Sequence, residues 1–495
     1  MKHYKNQSGH KKLKAIITLL AFTFTSLLSF SQTDFLKESW HKQSEPLETK
    51  ILNFEFQESS NQLLHSFAPW QQTHFSSSGE IWSNATNFSK IDTIRSNQDR
   101  YLSKTVLSEQ DFLQQNYGKE QLELLTKLHF QEQIYLTARY IPHRLLSYLK
   151  EHHTPIERLE EKCAIYSVQI NHTTVKLYID KGTFLISKIQ TLSHDELFGD
   201  VETEYTYSDY FQIGEFYIAK HIAIKKINGK LLDHVDIIHA KFTDSSPKLL
   251  ERPSGYKLAD EDPKVPSVST SSYNEHIHLV ELGHTDDRAM IVEFSDFLLV
   301  AESPLTSENG ELIIAEAKKL APDKPIKYFV FGHYHPHYLG GVRPFVQEGA
   351  QIIVSKHNQE YLSYIVNAKR TVKPDRLSLH SRSLQMELIQ NSLRISDGDY
   401  SMDIYLIGEK SKHTIDYLIY YLPKEKLLFE DDLVWIPMEG DPKNVSPRQI
   451  GLYNAIQDLG LEVQTIIQSW PVSDYGVKTI IPFEELENSI KNLKE

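Results

Sequence analysis

Three histidines alternate along one short stretch of this chain, GHYHPH at residues 332–337. In an extended segment alternate side chains point the same way, so imidazoles two residues apart can converge on one point. Neutral imidazole is a good ligand for Zn²⁺. A buried strand is predicted directly before this stretch, at 326–331, and Gly340 and Gly341 follow it. The glycine pair is expected to let the loop turn sharply into the next helix. The pattern indicates a metal site at the end of a strand.

A strand, a His-x-His loop and a glycine pair opening a helix together resemble the metallo-β-lactamase superfamily, whose loop reads His-x-His-x-Asp-His. Two later stretches extend the resemblance in the same order. His413 precedes a strand at 417–422, and Asp432 follows the next strand. The family carries its third histidine ligand in the first of these places and a bridging aspartate in the second. The resemblance covers residues from about 270 to the end and implies an αββα sandwich.

Carried over by position, the resemblance implies His333, His335 and His413 as the ligands of a first metal site, with Asp432 as the bridging carboxylate. Three histidines and one open position make a catalytic zinc set. Zinc lowers the pKa of a bound water to about 7. The implied activity is hydrolysis of an ester, amide, thioester or phosphoester, and the fold does not choose among these.

The second metal site departs from the family pattern. The loop aspartate is replaced by His337, the last loop histidine by Tyr338, and a late histidine by Trp470. Asp431 also stands where glycine usually precedes Asp432. We therefore expect one zinc ion, with His337 either as a further ligand or as a proton acceptor beside it.

A second interpretation fits the same residues. The histidines are compatible with an exposed polar loop in a metal-free relative, and Asp432 is compatible with a carboxylate that caps a turn. The protein would then be an inactive binding or scaffold protein of the cell envelope. The altered second site favours this interpretation, whereas the intact first site favours the zinc hydrolase. Metal content separates the two.

Two further regions precede the metal-site domain. Residues 109–150 have leucines at three- to four-residue spacing, which predicts helices. Residues 163–243 alternate apolar and polar side chains in serial segments with turn residues between them, which predicts an antiparallel meander. The meander resembles the curved sheet of periplasmic lipoprotein-carrier-like domains, which implies a surface for an apolar ligand or a partner. A scaffold that packs on the next domain is the other interpretation.

The predicted fold class is α+β. Its parts are a signal peptide, a helical region, an antiparallel sheet domain, a proline-rich linker and the metallo-β-lactamase-like domain, at residues 1–31, 32–160, 161–246, 247–272 and 273–495.

Composition limits the compartment and the partners. Lysines without acids precede an apolar run at 15–30, which is typical of a cleaved signal peptide and too short to span a bilayer. We expect export to the periplasm or the medium. The formal net charge of −13 argues against nucleic acid as a partner. The single cysteine, Cys163, excludes an intrachain disulfide. The expected ligand is a small molecule that the sequence does not identify.

Overall fold

The structure, a computed structural model, describes residues 34–96, 99–116, 118–261, 265–440 and 445–491. The predicted signal peptide at 1–31 lies outside these ranges, so it stays a prediction. Among the described helices, none combines the length and the apolar character needed to cross a bilayer.

The N-terminal half of the described chain is built on one large antiparallel sheet. Its strands are β1 (Ile51–Leu63), β2 (Gln72–Ser83), β3 (Phe88–Ser96), β4 (Asp99–Leu107), β5 (Phe112–Asn116), β6 (Ile156–Leu159), β7 (Cys163–Ile170), β8 (Thr173–Asp180), β9 (Ile186–Asp195), β10 (Gly199–Ile213), β11 (Phe216–Lys226) and β12 (Leu231–Thr243). Their order across the sheet is β5-β4-β3-β2-β1-β12-β11-β10-β9-β8-β7-β6. The meander predicted for 163–243 is confirmed, since β7 to β12 pair in sequence.

The prediction of a helical region at 32–160 is wrong for residues 51–116, which form five strands. In β1 the side chains of Leu52, Phe54 and Phe56 are buried and the residues between them are not. That two-residue period belongs to a strand. β1 also pairs with β12, so the two regions predicted as separate form one sheet.

Three helices cover one face of this sheet, at α1 (Phe35–Gln43), α2 (Lys127–Leu136) and α3 (His143–Glu151). Trp40, Leu145 and Leu146 from these helices share a buried cluster with strand residues such as Phe54 and Leu177. Burial of such apolar side chains is the main stabilising contribution, at about 25 cal/mol per Å² removed from water.

The predicted linker, 247–272, of which 262–264 lie outside the described residues, ends earlier than expected. Residues 268–272 already form a strand of the next domain. Before that point the chain runs along the N-terminal sheet, where the Tyr256 hydroxyl donates to the Phe112 carbonyl at 2.5 Å. The proline-rich stretch is thus an irregular connection. The Tyr256 hydrogen bond holds it against the N-terminal sheet, and its last residues form a strand of the next domain.

Two further sheets make up the C-terminal half. The first contains β13 (Val268–Ser272), β14 (Ile277–Leu282), β15 (Asp287–Glu293), β16 (Leu298–Ala301), β17 (Ile326–Val330), β18 (Gln351–Ser355) and β19 (Met386–Ile389), in that order. The second contains β20 (Ser392–Asp397), β21 (Tyr400–Leu406), β22 (Leu418–Leu422), β23 (Leu427–Glu430), β24 (Thr465–Gln468) and β25 (Ile480–Pro482), also in sequence order.

The two sheets face each other across one core, to which Leu299 and Val330 contribute from the first and Leu418 and Phe429 from the second. Helices lie on the outer faces, at α4 (Ser307–Leu320), α5 (Pro336–Leu339), α6 (Val342–Glu348), α7 (Gln359–Asn367), α8 (Arg376–Leu379), α9 (Pro447–Leu459) and α10 (Phe483–Lys491). Short 3-10 helices occur at Glu45–Glu48, Thr137–Arg139, Lys356–Asn358, Gly408–Ser411 and Ser473–Tyr475. The layer order is helices, sheet, sheet, helices.

Candidate metal centre

The histidine loop begins where β17 ends, between its neighbours β16 and β18. His333 and His335 are 0% and 3% exposed. His335 is still in an extended conformation, but Pro336 opens α5. The alternation that predicted three convergent imidazoles therefore holds for the first two histidines. It ends before His337, whose side chain leaves from the first turn of a helix.

Four side chains come together at this point. One ligand atom from each of His333, His335, His413 and Asp432 lies within 4.8 Å of the corresponding atoms of the other three. His333 Nε2 is 2.9 Å from His335 Nδ1, and His413 Nε2 is 3.2 Å from Asp432 Oδ2. His413 reaches the group because Lys412 before it adopts a left-handed conformation with φ 57°. The four residues predicted for the first site are thus brought together.

The chemistry of this group fits a zinc ion. His335 Nε2 is buried and has no hydrogen-bond partner within the described ranges, and the only acid near the buried His413 Nε2 is Asp432 of the same group. A buried polar atom without a partner costs free energy. Three imidazoles and one carboxylate are ligands that zinc prefers. The group therefore has the ligand types and the spacing to hold one such ion.

The protonation states also suit metal binding. Burial, with the neighbouring histidines, lowers the pKa of His333 well below its usual range. Burial, His413 and His65 lower the pKa of His335 to about 3, although Asp432 and the Ser66 carbonyl act in the opposite direction. Both imidazoles are therefore neutral at pH 7, which is the form that binds a metal.

Asp431 orients His333 from behind. Its Oδ2 lies 2.6 Å from His333 Nδ1, which leaves Nε2 for the metal side. Glu302 supports this pair from the end of β16, because it accepts the Gly332 N–H at 3.0 Å and the Tyr420 hydroxyl at 2.6 Å. Burial raises the pKa of Glu302 to about 8, and burial together with Glu302 raises that of Asp431. The buried carboxyl groups of Asp431 and Glu302 therefore lie on the side of His333 that faces away from the other ligands.

Asp432 is held by partners of its own. The Tyr417 hydroxyl lies 3.1 Å from Asp432 Oδ1 and accepts the Asp432 backbone N–H at 2.9 Å. Arg448 Nη1, in the first turn of α9, is 3.1 Å from Asp432 Oδ2. Burial alone would raise the pKa of Asp432, but His413 and Arg448 lower it below the usual value. These partners hold Asp432 as an anion in a fixed orientation. The alternative interpretation, a carboxylate that only caps a turn, does not account for them.

His337 lies outside the group of four and forms a pair with Asp287. His337 Nδ1 is 2.8 Å from Asp287 Oδ1, and Asp287 is fully buried at the start of β15. Burial would lower the pKa of His337, but Asp287, and then Asp432, raise it above the usual value. With Nδ1 held by a carboxylate, Nε2 is the ring nitrogen left to face a reacting group.

Aromatic side chains stand at the other two altered positions. The Tyr338 ring centroid is 4.4 Å from that of His333. Trp470 stacks on Trp435 at 4.4 Å, and its indole N–H donates to Gln468 Oε1 at 2.7 Å. Neither side chain is a zinc ligand. At these two positions aromatic rings therefore stand where the family pattern has histidines.

The glycine pair has a different role from the predicted one. Neither Gly340 nor Gly341 has a positive φ, so the turn does not need glycine. A Cβ on Gly340 would lie 2.4 Å from the Leu305 backbone, and one on Gly341 would lie 2.1 Å from Ser303 Oγ. The pair is required because the segment after β16 packs directly on the histidine loop.

Sequence reasoning missed three residues at this site. In the sequence, Asp287 is distinguished only by its place at the start of a strand. Arg448 is distinguished only by its place after Ser446 and Pro447, which are typical of the start of a helix. His65 is distant in sequence, and its ring centroid stacks 4.4 Å from that of His335. Only the tertiary structure brings these residues to the metal group.

Comparison with known proteins gives limited but consistent similarities. No protein-family model matches the chain. A stretch of 58 residues is 33% identical to the linear primary-alkylsulfatase of a Pseudomonas strain, which covers 12% of this chain and 11% of that protein. Among solved structures, the metallo-β-lactamase from Pontibacter korlensis matches 46% of this chain and 100% of its own, at 14% identity and a TM-score of 0.34. The FIM-1 metallo-β-lactamase from Pseudomonas aeruginosa matches 46% of this chain and 96% of its own, at 19% identity and a TM-score of 0.32.

Two features of the C-terminal half bear on the resemblance inferred from the sequence: the order of its layers and the meeting of the four candidate ligands. Helices, two facing sheets and helices surround the site, and His333, His335, His413 and Asp432 meet in one place. In its layer order, and in the order of these four residues along the chain, the C-terminal half resembles the metallo-β-lactamase superfamily.

Proposed function

We propose that the C-terminal half is a zinc-dependent hydrolase with a single metal site. His333, His335 and His413 would hold the ion, and Asp432 would complete the set. A zinc ion bound there supplies a Lewis acid that polarises the scissile group and acidifies water. The observation that carries the proposal is that four ligand atoms lie within 4.8 Å of one another, with the buried His335 Nε2 left without a hydrogen-bond partner in the described chain.

The Asp287–His337 pair is the proposed proton acceptor. The carboxylate holds His337 Nδ1 at 2.8 Å and so fixes the tautomer in which Nε2 can accept a proton. In this role His337 replaces the loop aspartate of the family as a base and not as a ligand.

Arg448 gives a reason to test anionic esters first. Its guanidinium lies at the site beside Asp432 and is 35% exposed. A guanidinium suits sulfate and phosphate oxygens because it donates two parallel hydrogen bonds. The local similarity to a protein named as a linear primary-alkylsulfatase supports the same choice. We propose an ester of a small oxyanion as the substrate class. Export remains part of the proposal and rests on the N-terminal sequence pattern.

The test of the proposed base is His337→Ala in the full-length protein, assayed against nitrophenyl acetate, sulfate and phosphate. We expect kcat to fall by about 10²–10⁴-fold, the usual contribution of a general base, while zinc content is unchanged. His357→Ala, an exposed histidine of the same domain, is the control and should keep full activity. Loss of zinc in His337→Ala would show that His337 is a ligand instead.

The inactive binding protein remains the alternative, because Tyr338 and Trp470 fill the second-site region with aromatic rings. It predicts that no ester in the panel is hydrolysed even when zinc is bound. Turnover that disappears in His333→Ala would exclude it.

A further inference from the structure

The loop between β1 and β2 of the N-terminal sheet lies across the metal centre. The Ser66 carbonyl accepts the Tyr334 hydroxyl at 2.6 Å, and the Phe67 carbonyl accepts the Ile415 N–H at 2.8 Å. Tyr334 stands between two ligand histidines, and Ile415 lies two residues after the third. One loop of the N-terminal half is therefore fixed to both ligand loops of the C-terminal half.

The far end of the same loop is anchored as well. Trp70 packs against Phe198, Tyr361 and Tyr364 with ring-centroid distances of 5.6, 4.9 and 5.0 Å. Its backbone has φ 63°, a conformation that a bulky residue rarely adopts without support from its surroundings. His65 directly precedes the first of these anchors, Ser66.

His65 stacks on the ligand His335. Their ring centroids are 4.4 Å apart, with an angle of 23° between the planes. Parallel rings do not aim their nitrogens at one point, and His65 is not in the group of four ligands. His65 therefore contacts His335 and does not belong to the group of four ligand side chains.

We propose that His65 is a positioning residue of the metal centre, supplied by the N-terminal sheet. The stacked ring fixes the orientation of His335, which also lies 2.9 Å from the His333 nitrogen and against the rings of Tyr334 and His413. The metal site is then shared between the two halves of the chain. This inference rests on the proposed zinc site and adds that the N-terminal half is part of it.

The experiment measures zinc affinity of the full-length protein by competition with a chromogenic chelator. His65→Ala should weaken zinc binding roughly 3- to 10-fold, the size expected for the loss of one aromatic stacking contact. His65→Phe should restore most of the affinity, because it keeps the stacked ring. His74→Ala, an exposed histidine of β2 in the same sheet, is the control and should bind as the wild type does. The absorption spectrum of the cobalt-substituted protein should change in His65→Ala and not in His65→Phe.

Each other result contradicts the inference. Equal affinity and spectra in His65→Ala and the wild type would show that His65 does not position His335. An equal loss in His65→Ala and His65→Phe would show that stacking is not its role. A wild type that binds no zinc would refute the proposed function itself, and the inference with it. Circular dichroism of each variant checks that the fold is intact.

Discussion

At the scale of single residues, the first metal site is recognisable in the sequence but its supports are not. His333, His335 and His413 are marked by spacing and order along the chain. Asp431 is an anomaly in the sequence because it replaces glycine, and the structure gives it a role as the acceptor of His333 Nδ1 at 2.6 Å. The neighbours of a ligand depend on contacts across about 100 residues of chain, which no local pattern encodes.

The role of Asp431 leads to a prediction. Asp431→Asn keeps the shape of the side chain but removes the carboxylate that holds His333. Residues that orient metal ligands typically contribute 10- to 100-fold to metal affinity, so we expect a loss of about that size. Chelator competition measures it. Asp403→Asn, an acid of the same domain that pairs with Arg394 away from the site, is the control. Unchanged zinc affinity in Asp431→Asn would contradict the assigned role.

At the scale of elements, alternation and turn residues correctly predicted the meander at 163–243 and the strands that correspond to β17 and β22. The failure lies at 51–116. There the strands are polar on one face, with runs such as Ser76-Ser77-Ser78, and were interpreted as connections between helices. Pairing of β1 with β12, almost 200 residues away, stabilises them. The stabilisation by this pairing comes from tertiary structure, so a short stretch of sequence cannot reveal it.

The close packing at Gly340 gives a prediction for these elements. Gly340→Ala places a Cβ 2.4 Å from the Leu305 backbone, which cannot move as a flexible side chain does. Overpacking of this kind costs about 1–3 kcal/mol, so the free energy of unfolding should fall by that amount and zinc affinity should fall with it. Gly182→Ala, whose new Cβ would meet only Asp180 Oδ1 at 3.4 Å, is the control. Chemical denaturation with equal midpoints for both variants would contradict the packing argument.

At the scale of the whole molecule, the two halves are joined by more than the linker. The β9–β10 turn inserts Phe198 beside Tyr361, with ring centroids 6.2 Å apart. Asp200 next to it accepts the Thr371 N–H at 2.8 Å. The sequence predicted separate domains, because composition shifts mark boundaries but do not report the contacts between them. The N-terminal sheet therefore contacts the C-terminal half at two places, and of these the β1–β2 loop reaches the candidate metal centre.

Phe198 tests this contact between the halves. Its side chain is 8% exposed, and Phe198→Ala removes the ring from the aromatic cluster around Trp70. Truncation of a buried phenylalanine costs about 3–5 kcal/mol, so thermal unfolding should begin earlier and split into two transitions. Limited proteolysis in the connection at 247–267 should become faster. Leu232→Ala, an exposed side chain of the same sheet, should behave as the wild type. A single, unshifted transition in Phe198→Ala would mean that the contact contributes little.

The central claim is a single zinc site formed by His333, His335 and His413 with Asp432. Elemental analysis of the full-length protein, purified without chelators and without a histidine tag, tests it most directly when paired with His333→Ala. We expect about one zinc per chain in the wild type, from the ligand set of a single tetrahedral site, and none in the variant. Two metal ions per chain, or no metal after incubation with excess zinc, would contradict it.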